Sequence, residues 1–86
     1  MTYTYNWKAR FSCGGVEIGF NVKDTLIADM KITGDFFGSR DVAELAAKFN
    51  DLPPQYSAIA ALVATADVSN YINGITPEEF LSLFKI

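Results

Sequence analysis

The sequence contains no histidine and a single cysteine, Cys13. Without histidine the chain lacks the commonest general base and the commonest metal ligand. With one thiol it closes no internal disulfide and assembles no zinc or iron–sulfur site of ordinary spacing. A lone cysteine fits a reducing compartment. No apolar run approaches the ~18 residues a membrane span needs, and no charged-then-apolar leader opens the chain. Seven basic residues face ten acidic ones, for a formal charge of −3. They form no basic stripe: Lys8 and Arg10 are split by Ala9. Nucleic acid and anionic membrane surfaces are therefore disfavoured as partners. No Gly-x-x-x-x-Gly-Lys run offers a phosphate cradle. These absences predict a soluble, cytoplasmic domain with no catalytic residue, no metal site and no cofactor bound by this chain alone.

What is present is enough for one core. The chain has 86 residues, half of them hydrophobic and 14% aromatic. A domain of that size buries about 60–65% of its unfolded surface, in two packed layers. Residues 1–86 read as a single domain, with residues 1–6 a polar-aromatic stretch of the kind an upstream linker leaves behind.

Strands come first. Trp7, Ala9 and Phe11 alternate with Lys8, Arg10 and Ser12, and Cys13-Gly14-Gly15 is read as a turn. Val16, Ile18, Phe20 and Val22 then alternate with Glu17, Gly19 and Asn21. After a turn at Lys23-Asp24-Thr25, Leu26, Ala28, Met30 and Ile32 share one face, a pattern that Ile27 breaks. Three such runs predict an antiparallel meander with one apolar and one wet face. Helical spacing follows in Val42, Leu45, Ala46 and Phe49, with Asp41 or Ser39 as cap, Asp41 with Glu44 resembling a capping box, and Glu44–Lys48 as an i,i+4 pair. Asn50 and Pro53-Pro54 stop this helix. A second helix is predicted from about Ser57, carrying Ile59, Leu62, Val63 and Ala66. Residues 67–73 read as a turn or weak helix. Thr76-Pro77-Glu78-Glu79 is a strong helix start, with Phe80, Leu83 and Phe84 as the apolar face. The sum is an α+β fold: a three-stranded antiparallel meander, then three to four helices packed on one sheet face.

The candidate site is the corner between the two halves: Gly34, Asp35, Phe36, Phe37 and Gly38. A strand sends neighbouring side chains to opposite faces, so two adjacent rings do not both reach one core from regular strand geometry. Either both turn inward after the chain breaks at Gly34, or one is presented outward as an interface anchor. Asp35 either holds the turn by accepting backbone N–H bonds or contacts a ligand or partner. Tyr3, Tyr5 and Trp7 either extend an aromatic patch or pack locally. Cys13 reads as a small hydrophobe at a strand end. Asp29 reads as a solvated carboxylate on the wet face.

The stretch Lys31-Ile-Thr-Gly-Asp-Phe-Phe-Gly38, with Arg10-Phe11, Gly14-Gly15 and the ending Tyr71-Ile-Asn-Gly-Ile-Thr-Pro-Glu-Glu79, resembles the C-terminal accessory domain of lipoate–protein ligases. The likeness runs from about Asn6 to Ile86. It departs at the turn Lys23-Asp24-Thr25, which lacks the glycine common there, and at Asn50-Asp51, where a Gly-containing helix end is usual. The resemblance implies a non-catalytic accessory domain or small subunit of an ATP-dependent ligase, one that docks on a separate catalytic domain. It implies that ATP, Mg²⁺ and lipoate serve the complete ligase, which forms lipoyl-AMP and transfers lipoyl to lysines of lipoyl-carrier proteins. It also implies a fold similar to iron–sulfur scaffold proteins. The competing readings are a stand-alone interaction module and an iron–sulfur scaffold-like protein, the latter opposed by one cysteine and no histidine.

Overall fold

The alternating segments form β1 (Tyr5–Phe11), β2 (Gly14–Lys23) and β3 (Leu26–Gly34), an antiparallel sheet in the order β1-β2-β3. The computed structural model describes residues 3–86. β2 is central, and its inward residues Val16, Ile18 and Phe20 are buried. Tyr5 and Asn6 already belong to β1, and Thr4 is tied to β2 by its N–H donating to Asn21 Oδ1 at 2.8 Å. Tyr3 is half-buried with its ring beside Gly19, and Met1 and Thr2, the rest of the suggested linker stretch, lie outside the described residues.

Two turns differ from expectation. The β1–β2 turn is Ser12-Cys13, and Gly14-Gly15 open β2 instead of making the turn. At the second hairpin Asp24 and Thr25 both take positive φ, 53° and 65°, between the paired Lys23 and Leu26. Two successive left-handed residues are what a tight hairpin needs to match strand twist, so the usual glycine is replaced without lengthening the turn.

The irregular alternation of β3 also has a cause. Gly19 pairs with Lys31 but Asn21 pairs with Ala28, so Asp29 and Met30 together stand opposite Phe20. Asp29 is left-handed, φ 56°. This bulge shifts the side-chain phase by one residue. Ile27 therefore joins Met30 and Ile32 in the core, whereas Leu26 and Ala28 are only half-buried, against the expected face. Asp29 is a partner in the bulge as well as solvated, accepting from Asn21 Nδ2 and pairing with Lys23, both at 3.1 Å.

The helical half follows the apolar spacing. α1 is Val42–Ala47, capped by Asp41, whose Oδ1 accepts the Ala43 N–H at 2.9 Å. Glu44 reaches back to Arg40 at 2.6 Å rather than on to Lys48 or to a capping box. α2 is Tyr56–Thr65, burying Ile59 and Val63. A 3₁₀ turn, Val68–Asn70, leads to α3, Pro77–Leu81, whose Thr76 and Glu79 form a reciprocal capping box. Phe49, Phe80 and Phe84 gather beneath the sheet, with ring centroids 5.7–5.9 Å apart, and Phe84 reaches Phe20 at 6.4 Å. Among the described residues, no charged, amide or aliphatic hydroxyl side chain is buried with them. No helix among the described residues is long and apolar enough to cross a membrane.

Candidate functional site

The chain leaves β3 at Gly34, opposite Val16. A side chain here would place its first carbon 2.1 Å from the Gly15 carbonyl oxygen, so only glycine lets β3 close onto β2 at its end. Asp35 then turns back onto the same residue. Its N–H donates to the Gly15 carbonyl at 3.2 Å, and its Oδ1 accepts the Gly15 N–H. Asp35 thus holds the corner as the turn reading expected, but through a strand twenty residues earlier rather than its own turn. Arg10 stands beside it, Nη2 to Oδ2 3.7 Å, with both side chains largely exposed.

The two phenylalanines part company. Phe36 is half-buried and packs against the core, whereas Phe37 is 86% exposed. The backbone under Phe37 is nevertheless fixed. Its carbonyl accepts the Asn73 N–H at 2.6 Å, and the N–H groups of Ser39 and Arg40 both donate to the Asn70 carbonyl, at 2.8 and 3.0 Å. Gly38 makes this clamp possible: a first side-chain carbon there would fall 1.9 Å from the Tyr71 carbonyl oxygen. Tyr71 is itself buried, with the Arg40 guanidinium 5.2 Å above its ring. The site is therefore a rigid corner seated on β2 at one end and on residues 70–73 at the other.

Sequence reasoning marked all five corner residues and missed their supports, Asn70, Tyr71 and Asn73. Tyr71 stood out only as part of a terminal pattern; nothing in linear spacing shows that it lies under Gly38, thirty-three positions away. Of the two readings for the terminal aromatics, Tyr5 and Trp7 follow local packing: their rings lie 5.5 Å apart and both lie against Phe20.

The hydrogen bond from the Gly15 N–H, helped by the Arg10 charge, holds the Asp35 carboxyl below its ordinary value. A depressed folded-state value contributes stability above the ordinary carboxylate range, and that contribution fades as pH falls from about 4 through the lowered value. Asp35→Asn should therefore show a shallower loss of stability on acidification than the wild type, as measured by denaturant unfolding from pH 6 to pH 2. Equal acid slopes would remove this role. At Cys13, by contrast, burial pushes the thiol up, and the Glu79 and Asp35 carboxylates add to the rise. A thiol kept protonated is a poor sulfur acceptor. Among the described residues no three His, Cys, Asp or Glu side chains gather to hold a metal ion.

A shallow trench of about 520 Å³ crosses the outer sheet face beside the corner. Its lining includes Gly15 and Gly34 and the charged Lys8, Arg10, Glu17 and Asp35. Two cations against two carboxylates leave it without the one-sided charge that would select an anionic small molecule.

Comparison with known proteins identifies relatives of the whole chain. The family model for bacterial lipoate protein ligase C-terminus matches residues 1–84. A lipoate–protein ligase of Streptococcus pyogenes is 35% identical over 77 residues, covering 90% of this chain and 23% of that protein. The Bacillus subtilis lipoate-protein ligase LplJ is 33% identical over 81 residues, 94% of this chain and 24% of its own. Lipoate–protein ligase 2 of Staphylococcus aureus is 28% identical over 81 residues, again 94% and 24%. The chain spans about a quarter of the length of these relatives.

Proposed function

The chain belongs to the family of bacterial lipoate protein ligase C-termini, and from that premise we propose that it is the non-catalytic accessory domain of an ATP-dependent lipoate–protein ligase, docking on the catalytic region through the Gly34–Gly38 corner. The observation that carries the docking is Phe37. A large ring held 86% exposed on a backbone clamped from two sides is a preorganised anchor. Such a ring gains its energy only when a partner desolvates it, and its fixed backbone keeps the ordering cost of binding low.

The remaining chemistry is assigned to the catalytic region. ATP and Mg²⁺ need a phosphate cradle and a cluster of hard oxygen ligands. The residues here fit neither requirement, since no three of the described carboxylates gather and no Gly-rich run leads into a lysine at a helix start. Lipoyl-carrier proteins are then partners of the assembled enzyme rather than of this domain alone. A stand-alone interaction module would show the same exposed ring, and is separated by activity. Titrating this chain into the catalytic region of its own ligase should raise lipoate-dependent formation of lipoyl-AMP, with no activity from the chain by itself. Identical rates with and without the chain would sink the proposal.

A further inference from the structure

The two edges of the sheet are treated differently. β3 is already covered: Ile27 donates its N–H to the Leu52 carbonyl and accepts the Asp51 N–H, both at 2.8 Å, and the Met30 N–H donates to Asn50 Oδ1 at 3.1 Å. Among the described residues, no backbone bond reaches β1 from beyond its ladder with β2. The two-residue turn makes Phe11 and Gly14 the pair that exchanges hydrogen bonds, so the ladder alternates through Ala9, Trp7 and Tyr5. Asn6, Lys8 and Arg10 then aim their N–H and C=O groups outward. Gly15 agrees with this phase: opposite Arg10, it directs both backbone groups to Asp35, on the β3 side.

The side chains of β1 describe what would pair with it. On the inner face, Val16, Ile18 and Phe20 of β2 are buried, but Trp7, Ala9 and Phe11 of β1 are only half-buried and Tyr5 is 36% exposed. On the outer face stand Asn6, Lys8 and Arg10; their neighbouring carboxylates, Glu17 opposite Lys8 and Asp35 3.7 Å from Arg10, both lie on the β2 side, so the free edge itself carries no carboxylate. A second copy of the chain is a poor occupant, because pairing two β1 edges brings lysines and arginines together. We propose that the β1 edge is a docking site for an extended segment of the ligase catalytic region, alternately acidic and apolar, which adds as a fourth strand. Its backbone pairs with Asn6, Lys8 and Arg10, its acidic side chains meet Lys8 and Arg10, and its apolar ones cover Tyr5 and Trp7. Main-chain bonds supply the affinity and the alternation supplies the selection. The inference rests on the proposed accessory role, but it uses a surface separate from Phe37.

Amide hydrogen exchange tests it, comparing this chain alone with the complete ligase in which it is joined to its catalytic region. The amides of Asn6, Lys8 and Arg10 should slow at least about tenfold in the complete ligase. Exchange as fast as in the isolated chain overturns the fourth strand. Lys8→Pro deletes one outward N–H and leaves the β1–β2 ladder intact, so it should weaken association of the chain with the catalytic region about tenfold, and Lys8→Ala less. If Lys8→Pro disturbs the fold, Lys8→Glu decides: it keeps the backbone and reverses the charge, and it too should weaken association, whereas unchanged binding contradicts the acidic partner. Association that depends on Phe37 but leaves the β1 amides free removes only the fourth strand. No association at all removes both this inference and the accessory role.

Discussion

Phe49→Ala should cost the domain about 3–5 kcal/mol of folding stability, the usual loss for emptying a phenylalanine site in a core. Phe49 is fully buried just beyond α1, where its N–H still bonds to the Ala46 carbonyl at 3.1 Å. Its ring stacks on Phe84 at 5.7 Å and lies 5.9 Å from Phe80, so it joins the first helix to the last. Through Phe84 the same cluster reaches Phe20 in the central strand. Small domains have total stabilities of about 5–15 kcal/mol, so this single loss removes a large share. Urea unfolding measures it directly. A change below about 1 kcal/mol would mean that the aromatic cluster is not the joint between the layers.

Gly38→Ala is the second large effect, and it acts on the site. The new methyl group would fall 1.9 Å from the Tyr71 carbonyl oxygen and 2.5 Å from its carbon, both backbone atoms that no rotamer change can move. Overpacking of this kind costs roughly 1–3 kcal/mol. The corner must also lift from residues 70–73, which loosens the N–H bonds of Ser39, Arg40 and Asn73. Each backbone bond lost adds about 1 kcal/mol, so the total should reach about 3 kcal/mol or more. The Asn73 amide should exchange faster, and Phe37 should lose its fixed direction. Full stability with a protected Asn73 amide would show that the clamp does not hold the corner.

Much of this architecture was legible beforehand, for physical reasons. Strict alternation in Val16, Ile18 and Phe20 marked the central strand, and Thr76-Pro77-Glu78-Glu79 marked α3, because both signals are local. The bulge was visible only as a fault, with Ile27 off the pattern; the left-handed Asp29 that explains it leaves no mark in composition. Spacing alone does not choose the partner of Glu44, because i,i+4 pairing works in both directions and Arg40 and Lys48 each stand four residues away. The Phe36–Phe37 pair was left open by alternation, since glycines on either side permit both outcomes. What decides it is distant in sequence: Gly15 beneath Asp35, and Asn70 to Asn73 beneath Gly38.

Phe37 acts as an anchor for another part of the ligase rather than as a piece of this core. The most direct measurement is Phe37→Ala, read twice in one preparation: unfolding of the chain, and its association with the ligase catalytic region. With the ring 86% exposed, stability should change by no more than about 0.5 kcal/mol. Association should weaken by about 1–3 kcal/mol, with lipoyl-AMP formation falling in step. Unchanged association would contradict the docking role, and a stability loss of about 3–5 kcal/mol would place the ring in the core instead.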